Sequence, residues 1–131
     1  MKPLVPLPSL LDRSPGRVNV LLFSQPQCEF CFEVRERYLK PLAAARRPRI
    51  NVAEASIVEV TPIRDWSGKT VTQQSFARSS DARFAPTVMF VDGAGRSLAE
   101  PIVGLSRDFF GAYLEQRLAA ALHALPRTVA D

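Results

Sequence analysis

Cys28 and Cys31 are the only cysteines of the chain, and two residues separate them in the sequence Cys-Glu-Phe-Cys. The pair follows the apolar residues 18–23 and opens a segment with helical periodicity. A helix start favours the thiolate form of a cysteine, and this short spacing lets both sulfurs close a ring. The sequence therefore predicts a dithiol for reversible disulfide chemistry, with Cys28 as the nucleophile and Cys31 as the resolving thiol.

The cysteine pair also has other interpretations. Two packed, inert cysteines are disfavoured by their spacing and by their position between a strand and a helix. A zinc site needs four ligands, and only His123, far along the last predicted helix, could add a non-carboxylate one, so we interpret it as structural. A binding module or chaperone whose dithiol carries Cu(I) remains an alternative, because soft thiolates select that ion. For the principal function we predict no metal and no organic cofactor.

Length and composition indicate one domain. The chain has 131 residues, of which 47% are hydrophobic, enough for a single core. We expect an irregular, proline-rich arm over residues 1–17, the domain over 18–125 and a short tail over 126–131. The apolar runs are shorter than the roughly 18 residues of a membrane-spanning helix, so we expect no membrane insertion. We also expect a monomer.

Charge and the start of the chain bear on partners and compartment. The net charge of +4 includes one cluster, Arg46-Arg47-Pro48-Arg49, without interleaved aromatic residues. Such a cluster is typical of a helix C-terminus, so no nucleic-acid partner is predicted. Prolines at 3, 6 and 8 interrupt the apolar residues near the start, which argues against a signal peptide. Either the protein is cytoplasmic, or this chain begins after a removed export signal.

Hydrophobic periodicity predicts a βαβ unit around the cysteines. Residues 18–23 indicate a central buried strand, and a helix from about residue 29 places Cys31, Val34, Tyr38 and Leu42 on one stripe. Pro41 should kink or end this helix. Residues 53–60 return to strand character, and right-handed crossover geometry makes the two strands parallel.

The second half of the chain is predicted to contain a hairpin between helices. Residues 61–69 suggest a loop excursion, after which Thr72 caps a helix over residues 73–80. Residues 87–91 and 97–103 form two strands around a tight turn, and Pro101 places the second strand at the sheet edge. Ser106 is predicted to cap the last helix. The expected apolar face of that helix comprises Phe109, Phe110, Tyr113, Leu114, Leu118, Ala121, Leu122 and Leu125.

This order of elements resembles the thioredoxin fold across residues 18–125. Besides the cysteine pair, Ala85-Pro86-Thr87 stands where that family places a cis-proline loop, and Val103-Gly104-Leu105-Ser106 looks like its glycine turn into the final helix. The resemblance implies an α/β fold whose central mixed sheet of four to five strands is flanked by helices on both faces. It also implies that Pro86 is cis and that the backbone beside it pairs with an extended substrate chain.

Further site residues follow from this resemblance. We assign Ala85, Pro86, Thr87, Phe30 and Gln27 to substrate binding. Glu29 is expected to tune the pair toward reduction, because a carboxylate beside Cys28 disfavours its thiolate. Trp66 and Tyr38 are interpreted as packing residues, and the remaining carboxylates as solvated.

Within the family, the chain looks most like secreted bacterial thioredoxin-like proteins that keep exported thiols reduced, including those of sulfur-oxidation and disulfide-isomerisation systems. It departs from cytoplasmic thioredoxin by lacking Trp-Cys-Gly-Pro-Cys, and by having Leu22 where that protein has a buried aspartate. A carboxylate there would accept the proton of the resolving thiol. We therefore expect a periplasmic protein, with the cytoplasm as the alternative.

The function predicted from the sequence is that of a thiol–disulfide oxidoreductase. The principal hypothesis is a reductant of protein disulfides, with a disulfide-bearing protein as substrate and an upstream thiol as electron donor. The alternatives are a disulfide oxidase or isomerase, and the Cu(I) or chaperone module.

Overall fold

The computed structural model describes residues 6–126, and within them the chain forms strands, α-helices and one π-helical segment. The strands are β1 (Val18–Ser24), β2 (Ile50–Ser56), β3 (Pro62–Arg64), β4 (Thr70–Thr72), β5 (Thr87–Val91) and β6 (Ser97–Val103). The α-helices are α1 (Glu29–Glu33), α2 (Lys40–Ala44), α3 (Gln73–Ser79) and α4 (Phe110–Ala124). The π-helical segment, Val34–Leu39, joins α1 to α2 without a break.

Four strands make one mixed sheet, as predicted, and their order is β2-β1-β5-β6. β1 runs parallel to β2 and antiparallel to β5, and β5 runs antiparallel to β6. All seven residues of β1 are buried, which fits a central strand covered on both faces. β6 lies at an edge of the sheet, which confirms the position predicted from Pro101. Proline has no amide hydrogen to donate and is therefore tolerated in an edge strand.

Each face of the sheet has its own hydrophobic core. Val20 and Leu22 of β1 point to the face covered by the π-helical segment, α2 and α4. Leu21 and Phe23 point to the opposite face, which is covered by α3 and the small β3–β4 sheet. This alternation follows from the period of two in a strand. The helices therefore lie on both faces, as the sequence predicted.

The helix that follows the cysteines continues past Pro41, so of the predicted kink or end at this residue, the end is wrong. Proline has no amide hydrogen, and its ring clashes with the carbonyl four residues earlier in a regular α-helix. The wider π-helical turn changes this spacing, and the Lys40 amide donates to the carbonyl of Arg35, five residues back. It also changes the buried stripe: Leu39 is fully buried, while Tyr38 is only partly buried.

Two predictions between the helices were wrong. β2 spans Ile50–Ser56 instead of 53–60, because it pairs residue for residue with the seven residues of β1. Residues 61–69 are not only a loop, since β3 pairs with β4 in a hairpin. Strands of three residues are too short to show a period of two. The predicted cap of α3 is confirmed, with the Thr72 hydroxyl accepting from the Ser75 amide at 3.0 Å.

The last helix begins later than predicted. Ser106 does not cap it; its carbonyl accepts the amide of Phe110 at 2.8 Å in the turn that precedes α4. Phe109 and Tyr113 are 56% and 40% exposed and lie outside the buried face, which carries Phe110 and Leu114. The other buried or partly buried members are Leu118, Ala121, Leu122 and Leu125. Among the described helices, none is both long and apolar enough to span a bilayer.

The N-terminal arm packs along the outer edge of β2. Leu7 and Leu11 are buried, whereas Leu10 is exposed. The Glu54 amide donates to the Pro8 carbonyl at 3.0 Å, so the arm pairs with backbone that would otherwise face solvent. Of the predicted tail, residues 127–131 lie outside the described part of the chain, as do residues 1–5 of the arm.

Candidate active site

Cys28 and Cys31 form a disulfide at the start of α1. Cys28 is the residue that caps this helix, and its sulfur accepts a hydrogen bond from the Cys31 amide at 3.1 Å. Cys28 is partly exposed, while Cys31 has no exposed surface. The two sulfurs therefore lie in different surroundings, one reachable from solvent and one in the core.

The segment before β5 lies at the same end of the sheet as the disulfide. Thr87 pairs with Phe23 near the C-terminal end of β1, from which the chain turns into Cys28. The Ala85–Pro86 peptide bond is cis. The Pro86 carbonyl accepts the Gly104 amide at 2.8 Å, and this bond joins the segment to the chain that follows β6. Ala85, Pro86 and Thr87 are thus brought to the cysteine end of the sheet.

The other predicted site residues flank the cysteines. Phe30 is 51% exposed on α1, and Glu29 is exposed beside it. Gln27 has a φ of 59° in the turn before Cys28, and both residues line a cavity of about 470 Å³. Trp66 and Tyr38, interpreted as packing residues, lie against Phe76 and Phe110 with ring centroids 5.9 and 4.7 Å apart.

Arg107, which was not predicted from the sequence as a site residue, contacts the exposed side of α1. Its guanidinium bonds both carboxylate oxygens of Glu33 and lies 5.9 Å from the centroid of the Phe30 ring. The hydrogen bond from Arg107 lowers the pKa of Glu33, and the same bond raises the pKa of Arg107. The only sequence signal for this contact is a basic residue after the Gly104 turn.

A buried ion pair lies beneath the continuous helix of residues 29–44 that follows the cysteines, called here the redox helix. It corrects the expectation that the remaining carboxylates are solvated. Glu54 is 3% exposed and Arg35 is 7% exposed. The Arg35 Nε and Nη2 atoms donate to the two oxygens of Glu54 at 2.8 and 2.6 Å, and this hydrogen bonding raises the pKa of Arg35. Glu54 also accepts from the Ser24 hydroxyl and the Leu7 amide. Glu54 lies between two alanines of a strand, and this sequence pattern could have indicated a buried carboxylate.

Metal-ligating residues are not gathered near the cysteines. Among residues 6–126, no three His, Cys, Asp or Glu side chains form a group that could hold a metal ion. His123 lies in the last turn of α4.

The sheet order, the cysteine pair after β1 and the proline segment before β5 together define a thioredoxin-like fold. No family model and no curated protein matches the sequence. Solved structures do match, among them a putative thiol:disulfide interchange protein DsbE from Chlorobium tepidum, at 21% identity and a TM-score of 0.59, covering 82% of this chain and 81% of that one.

Two thioredoxins match as well. NaTrxh from Nicotiana alata is 14% identical with a TM-score of 0.55, covering 80% of this chain and 76% of its own. The Fasciola hepatica thioredoxin is 16% identical with a TM-score of 0.53, covering 79% and 83% respectively. At these identities the similarity establishes the fold, and the predicted α/β thioredoxin-like architecture is confirmed.

Proposed function

We propose that this protein is a thiol–disulfide oxidoreductase that reduces disulfides of other proteins through Cys28 and Cys31. The observation that carries the proposal is the asymmetry of the disulfide, with a partly exposed sulfur at the helix start and a fully buried one a turn further on. Only the exposed sulfur can meet a partner. The buried sulfur is positioned to act on an intermediate already attached to Cys28.

The reaction follows from this arrangement. In the reduced protein, the Cys28 thiolate attacks one sulfur of a substrate disulfide, forms a mixed disulfide and releases the other substrate sulfur as a thiolate. Cys31 then loses its proton and attacks the Cys28 sulfur. The Cys28–Cys31 bond forms, the second substrate thiolate leaves, and two electrons have passed to the substrate. Two molecules of an upstream thiol return the pair to the dithiol.

The surroundings of Cys28 support recognition of an extended substrate chain. Thr87 and the preceding Ala85 and Pro86 lie at the cysteine end of the sheet, where backbone groups can pair with a substrate strand. Phe30 offers an exposed aromatic ring between the cysteines, and Gln27 borders Cys28 on the other side. We assign these residues to substrate contact.

The reducing direction rests on Glu29. A carboxylate next to Cys28 disfavours the thiolate of the reduced form, so the dithiol gives up electrons more readily. As compartment we propose the periplasm, with a disulfide of a sulfur-oxidation or disulfide-isomerisation protein as the electron acceptor. The cytoplasm is the alternative, and fractionation of cells that express the native gene distinguishes the two.

A redox titration of the Cys28–Cys31 pair in glutathione buffers tests the proposal. Potentials in this fold range from about −270 mV for reductants to about −120 mV for oxidants. A value near the reducing end supports the reductase, whereas a value near the oxidising end makes the protein an oxidase or isomerase. A pair that does not exchange with glutathione at all, in a folded protein, would contradict the oxidoreductase assignment.

A further inference from the structure

A cavity opens beside Cys28 on the side of β2. Its volume is about 470 Å³, within the roughly 300–1,000 Å³ typical of small-molecule sites. The arm, the turn before Cys28, the end of β2 and the start of α3 all contribute to its walls, as do Phe32 and Arg35 of the redox helix. A ligand in this cavity would lie directly against the reactive sulfur.

Arg35 supplies a hydrogen-bond donor in the wall of the cavity. Its Nε and Nη2 atoms are engaged by Glu54, whereas its Nη1 atom has no hydrogen-bond partner among residues 6–126. The side chain is only 8% exposed, so its geometry is fixed by the ion pair. Such a donor suits a carboxylate or carbonyl oxygen of a ligand, because guanidinium groups favour bonds to such acceptors.

Glu59 supplies the opposite charge at the exposed part of the lining. Its backbone is held at both ends, since its amide donates to the Ser56 hydroxyl at 3.1 Å and its carbonyl accepts the Gln74 amide at 2.8 Å. A carboxylate in this position suits an ammonium group. The cavity thus offers a donor in its wall, an acid at its exposed part and Cys28 in its lining.

We propose that this cavity binds a low-molecular-weight zwitterionic thiol of the amino-acid or peptide class and presents its sulfur to Cys28. The inference rests on the proposed function and names the chemical class of the upstream electron donor. The carboxylate of the thiol bonds to Arg35, and its ammonium group pairs with Glu59.

The exchange balances with two thiol molecules. The bound thiolate attacks the Cys28 sulfur, the Cys28–Cys31 bond breaks, and Cys31 leaves as a thiolate that takes up a proton. A second thiolate attacks the ligand sulfur of the mixed disulfide and releases the Cys28 thiolate. The two small thiols are oxidised to one disulfide, and the protein disulfide is reduced to a dithiol.

The test compares reduced glutathione, a zwitterionic peptide thiol, with 2-mercaptoethanol, which has neither carboxylate nor ammonium group. The rate of reduction of the oxidised protein is followed by acid quenching, alkylation and mass spectrometry, with each rate corrected for the thiolate fraction. Gln25→Trp narrows the cavity at an exposed residue of its lining. Glu59→Gln removes the acid. Thr70→Trp, an exposed position outside this cavity, is the matched control.

We expect the ratio of the glutathione rate to the mercaptoethanol rate to fall roughly tenfold in Gln25→Trp, which corresponds to about one charge-assisted hydrogen bond. Glu59→Gln should lower the ratio in the same direction, and Thr70→Trp should keep the wild-type ratio. An unchanged ratio in both cavity variants would overturn the inference and leave the oxidoreductase proposal intact. A folded wild-type protein that reacts with neither thiol would overturn the proposed function itself.

Discussion

Glu54 lies opposite Leu22 in the parallel register of β2 and β1, and its buried carboxylate is tied to Arg35 of the redox helix. Leu22 is apolar at the position where the resemblance to cytoplasmic thioredoxin implies a carboxylate. A carboxylate lies instead on the neighbouring strand, at Glu54. Two donors of Arg35, the Ser24 hydroxyl and the Leu7 amide together engage both of its oxygens. Glu54 thus connects the sheet, the N-terminal arm and the redox helix through hydrogen bonds.

The ion pair should be costly to break from one side. Glu54→Leu leaves the Arg35 guanidinium buried without a partner, and we expect a loss of about 3–5 kcal/mol in the free energy of unfolding. The double variant Glu54→Leu with Arg35→Met should recover most of this loss, because it removes both charges. Urea unfolding measures each value. Asp81→Asn, at an exposed pair with Arg83, is the control and should change stability by less than about 0.5 kcal/mol. If Glu54→Leu changes the free energy of unfolding as little as this control does, the Arg35 guanidinium is hydrated in the variant and the prediction is wrong.

The two sulfurs should behave differently when replaced. Cys28→Ser is expected to abolish attack on a substrate disulfide, because the remaining thiol of Cys31 is buried. Cys31→Ser should still attack and then accumulate a mixed disulfide, since the resolving thiol is missing. Non-reducing gels of both variants with an oxidised partner protein measure this. Accumulation with Cys28→Ser instead would reverse the two roles.

Charges around the start of α1 should move the reduction potential in opposite directions. Glu29→Gln removes an anion beside Cys28, stabilises the thiolate of the reduced form and should raise the potential, by about 30 mV if the charge contributes about 1.4 kcal/mol. Arg107→Gln removes a cation and should lower the potential. Glutathione titrations at low and high salt give both shifts, which salt should reduce. Shifts of the same sign in the two variants would exclude a charge effect.

The contact between Glu33 and Arg107 should make a small part of the stability depend on pH. Arg107 lowers the pKa of Glu33 from its ordinary value of 4.5, so the folded state binds this proton more weakly than the unfolded state. The stabilisation is present above pH 4.5 and is lost as the pH falls through the lowered pKa. Glu33→Gln should therefore lower the melting temperature at pH 7 and have little effect near pH 2. A deficit of equal size at both pH values would indicate lost packing instead.

The elements that the sequence predicted well are those whose signals are local. β1 is mostly apolar, Thr72 has the chemistry of a cap, and the turn between β5 and β6 is rich in glycine. The position of the cysteine pair could be predicted for the same reason, because the strand, the two cysteines and the helix follow one another directly in the sequence.

The features that the sequence did not reveal depend on contacts between distant residues. β2 begins and ends where its pairing with β1 does, and the partner of Glu54 lies 19 residues away on another element. α4 begins at Phe110, after a turn in which the Phe110 amide donates to the Ser106 carbonyl. The sequence did not predict this turn because serine is also a typical capping residue, so Ser106 was interpreted as the helix start. Periodicity also assumed 3.6 residues per turn, so it put Tyr38 where the π-helical segment puts Leu39.

Both lateral edges of the main sheet are occupied or interrupted. At β2 the arm takes up edge backbone through the Pro8 carbonyl, and at β6 the edge strand contains Pro101, which has no amide hydrogen to offer to an added strand. Unfolded clients carry unpaired strands that associate with open sheet edges. For the reductase proposed above, such edges should favour contact with a client chain at the cysteine end and should reduce coaggregation with unfolded clients.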